Sequence, residues 1–202
     1  MSKTFLLSGS HRAEAESLKV TRFVEQAIQR AFPSRETFLY SLSGNPLPLW
    51  EENEGGVADD LWAEPARHLA EADSLVVVCP EWNGMATSGV KNFLHLAGAD
   101  LVGHKPGLLI SVSASDNGVY PISELRMSGT KNNRLCWLPE HLIVRRVGAM
   151  FNGAEPNPED KSDAYLRKRL DYCLTLLDAY AKGLSAVREA GLVDHETYPN
   201  GM

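Results

Sequence analysis

Residues 74–84 read Ser-Leu-Val-Val-Val-Cys-Pro-Glu-Trp-Asn-Gly. The stretch 74–79 shows no polar alternation, is rich in β-branched side chains and meets a proline at Pro80. It therefore predicts a strand buried on both faces, which belongs in the middle of a parallel sheet. Working outward, Thr4-Phe5-Leu6-Leu7 predicts a first strand ending at Ser8-Gly9-Ser10, and Thr37-Phe38-Leu39-Tyr40 a second. Leu108 to Ser113 and Leu142-Ile143-Val144 predict a fourth and a fifth, after the strand at 74–79.

Helical patterns fill the gaps. Val20, Phe23, Val24, Ala27 and Ile28 recur at three- and four-residue spacing before Pro33. A helix with Pro65 in its first position is expected to run to about Ala72, another from Gly89 to Ala97, and one from about Pro121. The last carries Leu166, Leu170, Cys173, Leu174, Leu177, Ala181 and Leu184 along one face. Between Ser43 and Asp60, a stretch rich in Pro, Gly, Asn and Glu reads as a long surface loop. Parallel neighbours need crossover connections, so five strands alternating with helices predict an α/β, doubly wound, three-layer domain with strand order 2-1-3-4-5. One such domain over residues 1–202 is expected. In this architecture ligands bind outside the carboxyl ends of the strands, at the switch point between strands 1 and 3.

Composition narrows the function classes. The chain has 202 residues, 44% hydrophobic and 23% charged, which is the ordinary globular range. Its 20 basic and 26 acidic residues give a formal charge of -6, against a nucleic-acid binder driven by counterion release. No run approaches the roughly 20 apolar residues of a membrane span, and the apolar part of the opening MSKTFLLSGSHR is too short for a secretory signal. Cys79, Cys136 and Cys173 show no C-x-x-C spacing. They form neither a disulfide framework nor a zinc site, and a reducing cytoplasm is the expected compartment.

Three loops reach the predicted switch point. The first, Gly9 to Ser17, combines helix-start amides, the hydroxyls of Ser10 and Ser17 and the guanidinium of Arg12, a set suited to a phosphate. It lacks the Walker and G-x-G-x-x-G patterns. The alternative is an ordinary turn with Ser17 as a helix cap. The second loop, Pro80 to Asn92, offers Trp82 as a flat apolar surface, with Asn83 beside it and Gly84 to let the main chain approach a planar ring. Its alternative is a turn in which Trp82 merely packs.

Ser-Gly-Ser-x-Arg at 8–12, Pro-Glu-Trp-Asn-Gly at 80–84 and Gly-Val-Lys-Asn at 89–92 together resemble the NADPH-dependent FMN reductase family of flavodoxin-like proteins, over roughly residues 4 to 147. The resemblance implies FMN, with Ser10, Arg12 and Ser17 on its phosphate. Pro80, Glu81, Trp82, Asn83 and Gly84 would line the isoalloxazine, and Ser113, Asp116 and Gly118 would belong to a third loop closing over it. Leu125-Arg126 matches the family's helix after that loop. It further implies electron transfer from NADPH or NADH to a small-molecule acceptor such as a quinone, azo compound, metal oxyanion or free flavin, in a homodimer or homotetramer. The alternative function is an FMN-binding electron carrier without efficient NAD(P)H turnover.

Trp82 stands where the family has Tyr, Met85 and Thr87-Ser88 replace a small residue and Pro, and Asn117 takes the place of a Gly in a left-handed turn. Such changes bear on substrate preference more than on flavin binding. No side chain is assigned as catalytic, because the chemistry belongs to the cofactor. Trp50 and Asn83 are the candidates beside the open face of the ring. The six histidines lack metal-ligand spacing, so no metal is expected. Asp194-His195 reads as a solvated tail in the absence of a G-x-S-x-G elbow. Lys131 to Arg134 together with Arg145-Arg146 form a local basic cluster, expected to be solvated surface, with an anion such as the nicotinamide 2′-phosphate as the alternative.

Overall fold

A computed structural model describes residues 2–51, 60–158 and 160–201. In chain order the elements are β1 (Lys3–Ser8), α1 (Glu16–Ala31), β2 (Glu36–Ser41), α2 (Asp60–Glu71), β3 (Ser74–Trp82), β4 (Met85–Ala86), α3 (Ser88–Leu96), α4 (Ala99–Val102), β5 (Pro106–Val112), α5 (Val119–Ser128), β6 (Cys136–Val144), a 3-10 turn (Val147–Ala149) and α6 (Lys161–Glu189). The sheet runs β2-β1-β3-β5-β6 with every neighbour parallel, while β4 pairs antiparallel with the end of β3. This is the expected five-stranded doubly wound order with one short hairpin strand added.

Alternation along each strand divides the core in two. Leu6, Val76, Val78, Leu108, Ile110, Leu142 and Val144 pack with Val20, Val24 and Ile28 of α1 and Leu170, Cys173, Leu174 and Leu177 of α6. Phe5, Leu7, Leu75, Val77, Cys79 and Leu109 face the other way, onto Leu69 of α2, Phe93 of α3 and Leu125 of α5. The fully apolar strands are therefore covered on both sides.

Three expectations shift. Pro80 does not stop β3, which pairs through Pro80↔Val112 and continues to Trp82. Val78 is the last residue paired with β1, and ladder alternation points the missing N–H of Pro80 to the side where β1 has ended. Pro65 lies inside α2, because burial of Trp62 edge-on against Phe93 draws the helix start upstream. The fifth strand begins at Cys136, its pattern interrupted by the exposed Pro139 and the half-buried Glu140 of an edge strand. Of the long second loop, residues 43–51 are described and 52–59 lie outside the described residues. Among the described residues no helix is long and apolar enough to cross a membrane.

Candidate functional site

The carboxyl ends of β1, β3 and β5 gather the three expected loops at one edge of the sheet. The loop from β1 into α1 is open in its hydrogen bonding. Among the described residues, only Arg12 of residues 10–15 donates its backbone N–H to a protein acceptor, Ser10 Oγ at 3.2 Å. α1 begins at Glu16 after Ala15, which provides no side-chain cap. Ser17 is thus not the cap; its buried hydroxyl sits 3.4 Å from Ser8 Oγ. A helix start with open amides, two adjacent serines and a cation is the arrangement that holds a phosphate. Glu16 on the same turn is neutralised by Lys19 at 2.5 Å.

Arg12 has no carboxylate partner among the described residues. Its guanidinium lies 5.0 Å from the centroid of the Trp82 ring, and the His11 ring lies 5.9 Å from the same indole. The phosphate-side loop and the aromatic platform of the second loop are therefore in direct contact. Thr87 Oγ1 donates to Gly9 O at 2.8 Å and fixes the two backbones together from below.

The second loop is a hairpin. Asn83 and Gly84 both have positive φ, 50° and 71°, which makes them the two central residues of a type I′ turn between β3 and β4. A Cβ on Gly84 would meet nothing within 4 Å. The glycine meets the positive φ of the turn and leaves its main chain open on the side a Cβ would fill. The side chain of Glu81 turns toward α5: its Oε2 accepts from Gly118 N at 2.8 Å and Tyr120 N at 3.3 Å. From α5, Glu124 Oε2 accepts from Ala86 N at 2.8 Å and Oε1 pairs with Lys91 at 2.9 Å. The Lys91 hydrogen bond, then the Ala86 amide, hold the Glu124 carboxyl below its ordinary range. Under the hairpin, burial pushes the Cys79 thiol up to about 11, so no thiolate is available there.

The third loop is braced internally. Ser113 Oγ accepts from Ser115 N at 3.2 Å, and Ser115 Oγ accepts from Asn117 N at 3.5 Å. Ser111 Oγ donates to Gly118 O. The left-handed position falls on Gly118, at φ 108°, and not on Asn117. Asp116 points outward to Arg146 Nε at 2.7 Å, an exposed pair in which the guanidinium keeps the carboxyl below its ordinary range. Arg145 Nε donates to Asn117 O at 3.0 Å.

Residues outside the three loops sort differently from expectation. Trp50 docks on α3: its backbone N–H donates to Asn92 Oδ1 at 3.0 Å while Asn92 Nδ2 donates to Pro48 O at 2.8 Å. Its ring, half exposed, lies 6.2 Å from His95 and not over Trp82. The basic cluster divides. Lys131 to Arg134 precede β6 and Arg145-Arg146 follow it, so a nine-residue strand separates them. Arg134 is occupied by the end of the chain, through His195 Nδ1 at 2.9 Å and Tyr198 O, so the tail at Asp194-His195 is docked and not simply solvated. Glu124, Thr87 and Asn92 had no sequence signal of their own beyond lying in or near a motif.

An oxidoreductase from Corynebacterium diphtheriae shares the fold at a TM-score of 0.68 and 15% identity, over 91% of this chain and 98% of that one. FerB, a flavoenzyme NAD(P)H:(acceptor) oxidoreductase from Paracoccus denitrificans, gives 0.68 at 16% identity, over 92% and 98%. An apo NADH:FMN oxidoreductase gives 0.66 at 16%, over 85% and 88%. No curated protein matches the sequence. The model of the NADPH-dependent FMN reductases matches residues 2–148, a span that holds all three loops, and the chain belongs to that family.

Proposed function

We propose that the chain binds FMN across the carboxyl edge of β1, β3 and β5, accepts electrons from NADPH or NADH, and passes them to a quinone, azo compound, metal oxyanion or free flavin. The observation that carries this reading is the run of open N–H donors at the start of α1 set against Trp82 at the switch point. The donor set fits a phosphate monoester, and the indole beside it fits a planar ring. When bound, FMN supplies hydride acceptance and the return of electrons singly or in pairs.

The chain's own residues then bind and orient. Ser10, Ser17 and the first amides of α1 donate to the phosphate in this reading, with Arg12 contributing the positive charge. Pro80, Trp82, Asn83 and Gly84 form one wall of a ring slot, and Ser113 and Gly118 the other. Glu81 and Asp116, whose carboxylates face α5 and Arg146, act on those walls and not on the ring. No acid or base side chain is required. Leu49, Trp50, Met85 and Tyr120 are exposed apolar side chains, which a second copy of the chain would cover in a homo-oligomer.

The test is anaerobic stopped-flow reduction of the FMN-loaded protein with each nicotinamide. Bleaching of the flavin within the turnover time is expected. Slow or absent bleaching by both nicotinamides would reduce the protein to an electron carrier, and a colourless preparation that leaves added FMN fluorescence unquenched would end the reading.

A further inference from the structure

Two carboxylates link the hairpin at 82–85 to α5 in opposite directions. Glu81, on the strand leading into the hairpin, reaches forward and accepts the N–H groups of Gly118 and Tyr120 at 2.8 and 3.3 Å. Glu124, on α5, reaches back and accepts the N–H of Ala86, on the strand leaving the hairpin, at 2.8 Å. One foot of the hairpin therefore holds the helix, and the helix holds the other foot. Lys91 of α3 anchors Glu124 through its second oxygen at 2.9 Å. The tip of the hairpin itself is open: Met85 is 53% exposed and Asn83 and Gly84 are exposed, while Ala86 at its foot is buried.

We propose that Glu81 and Glu124 are positioning residues, a reciprocal latch that fixes the wall carrying Trp82 and Asn83 against the loop that ends at Gly118. The inference rests on the flavin reading for its consequence, since the two elements so fixed are the two walls of the ring slot. It assigns Glu81 to the geometry of the slot and not to contact with the ring. It also accounts for Lys91 of the Gly-Val-Lys-Asn motif, which lies outside both walls. A carboxylate accepting main-chain N–H bonds at a helix start is also favoured by the helix dipole, so the Glu81 contact strengthens the whole first turn of α5.

The test has two arms. In FMN-free protein, amide hydrogen exchange followed by NMR reads the latch directly. Glu124→Ala should speed exchange at Ala86 about tenfold or more, and Glu81→Ala should do the same at Gly118 and Tyr120. Glu124→Gln and Glu81→Gln keep an acceptor oxygen and should restore most of the protection. Exchange at Val77, deep in β3, should not move, which separates local release from global destabilisation. Unchanged exchange at Ala86 in Glu124→Ala, or Gln variants as fast as the Ala variants, would overturn the latch.

In the loaded protein, Glu81→Ala/Glu124→Ala should weaken FMN about tenfold. Unchanged FMN affinity in the double variant would overturn the positioning role. A native protein that binds no FMN ends the functional reading instead, and the exchange arm still judges the latch.

Discussion

The loop leaving β1 and the loop leaving β5 emerge at the same edge of one sheet and treat their backbone donors in opposite ways. Residues 10–15 satisfy one N–H internally, that of Arg12. Residues 113–118 satisfy those of Ser113, Ser115, Asn117 and Gly118, two of them through serine hydroxyls and one through Glu81. Buried or half-buried backbone donors need partners. A loop that finds them within the protein is a wall, and a loop that leaves them open at a helix start is a receptor. The contrast predicts that changes in the first loop act on ligand affinity, whereas changes in the third act on stability.

The largest effect falls where the first loop leaves the sheet, since that point serves both roles. A Cβ on Gly9 would overlap Val90 Cγ2 and come within 2.9 Å of Val78 O. Gly9→Val should therefore cost roughly 1–3 kcal/mol by overpacking and abolish FMN binding as well; thermal melts and FMN titration measure the two. Arg12→Ala should separate them. An exposed side chain without an ion pair leaves stability within about 0.5 kcal/mol, while loss of a charged hydrogen bond to a phosphate weakens FMN by roughly 1.5–3 kcal/mol, at least tenfold in Kd. A stability loss as large as the affinity loss would break the comparison at its first loop.

Gly118→Ala probes the opposite case. At φ 108° a side chain is strained, and its Cβ would lie 2.7 Å from Ile143 Cγ2. About 1–2 kcal/mol of stability should be lost, seen as a lower midpoint in urea, with FMN affinity reduced less than in Arg12→Ala. The reverse order would make the third loop a receptor too.

How much of this is legible without coordinates depends on whether the cause is local. The buried strands at 74–79 and 108–112 announce themselves because both faces are apolar, and their order follows from the crossover rule. The start of β6 does not, because Pro139 and Glu140 sit on an edge strand whose half-exposed residues blur the pattern. Pro65 misplaces a helix start for a related reason: the rule about proline is local, and the burial of Trp62 against Phe93 is not. In the site, the loops and their motif residues are legible, but their partners are not. Glu81 meets an amide 37 residues away and Thr87 a carbonyl 78 residues away. No periodicity encodes such bonds, so the partners of the Glu81 carboxylate are not legible in the sequence.

The smallest expected effect tests whether the third loop is braced by its backbone or by its charges. Asp116 and Arg146 form an ion pair with both side chains about 70% exposed, at 69% and 71%. Pairs of this kind contribute little and are screened by salt. Beneath it, Arg146 N–H donates to Ser115 O at 3.0 Å and Val147 N–H to Ser113 O at 3.1 Å, bonds that no side-chain change removes. Asp116→Ala should therefore leave both the melting temperature and FMN affinity nearly unchanged, the latter within about twofold. The pH dependence has a definite sign. The Asp116 carboxyl is held below its ordinary range by Arg146, so whatever the pair contributes is fully present above that range and fades as pH falls through the lowered value. Between pH 5 and 8 the native protein and Asp116→Ala should thus keep the same small difference, and a difference that grew across that window would place another titrating group against the loop.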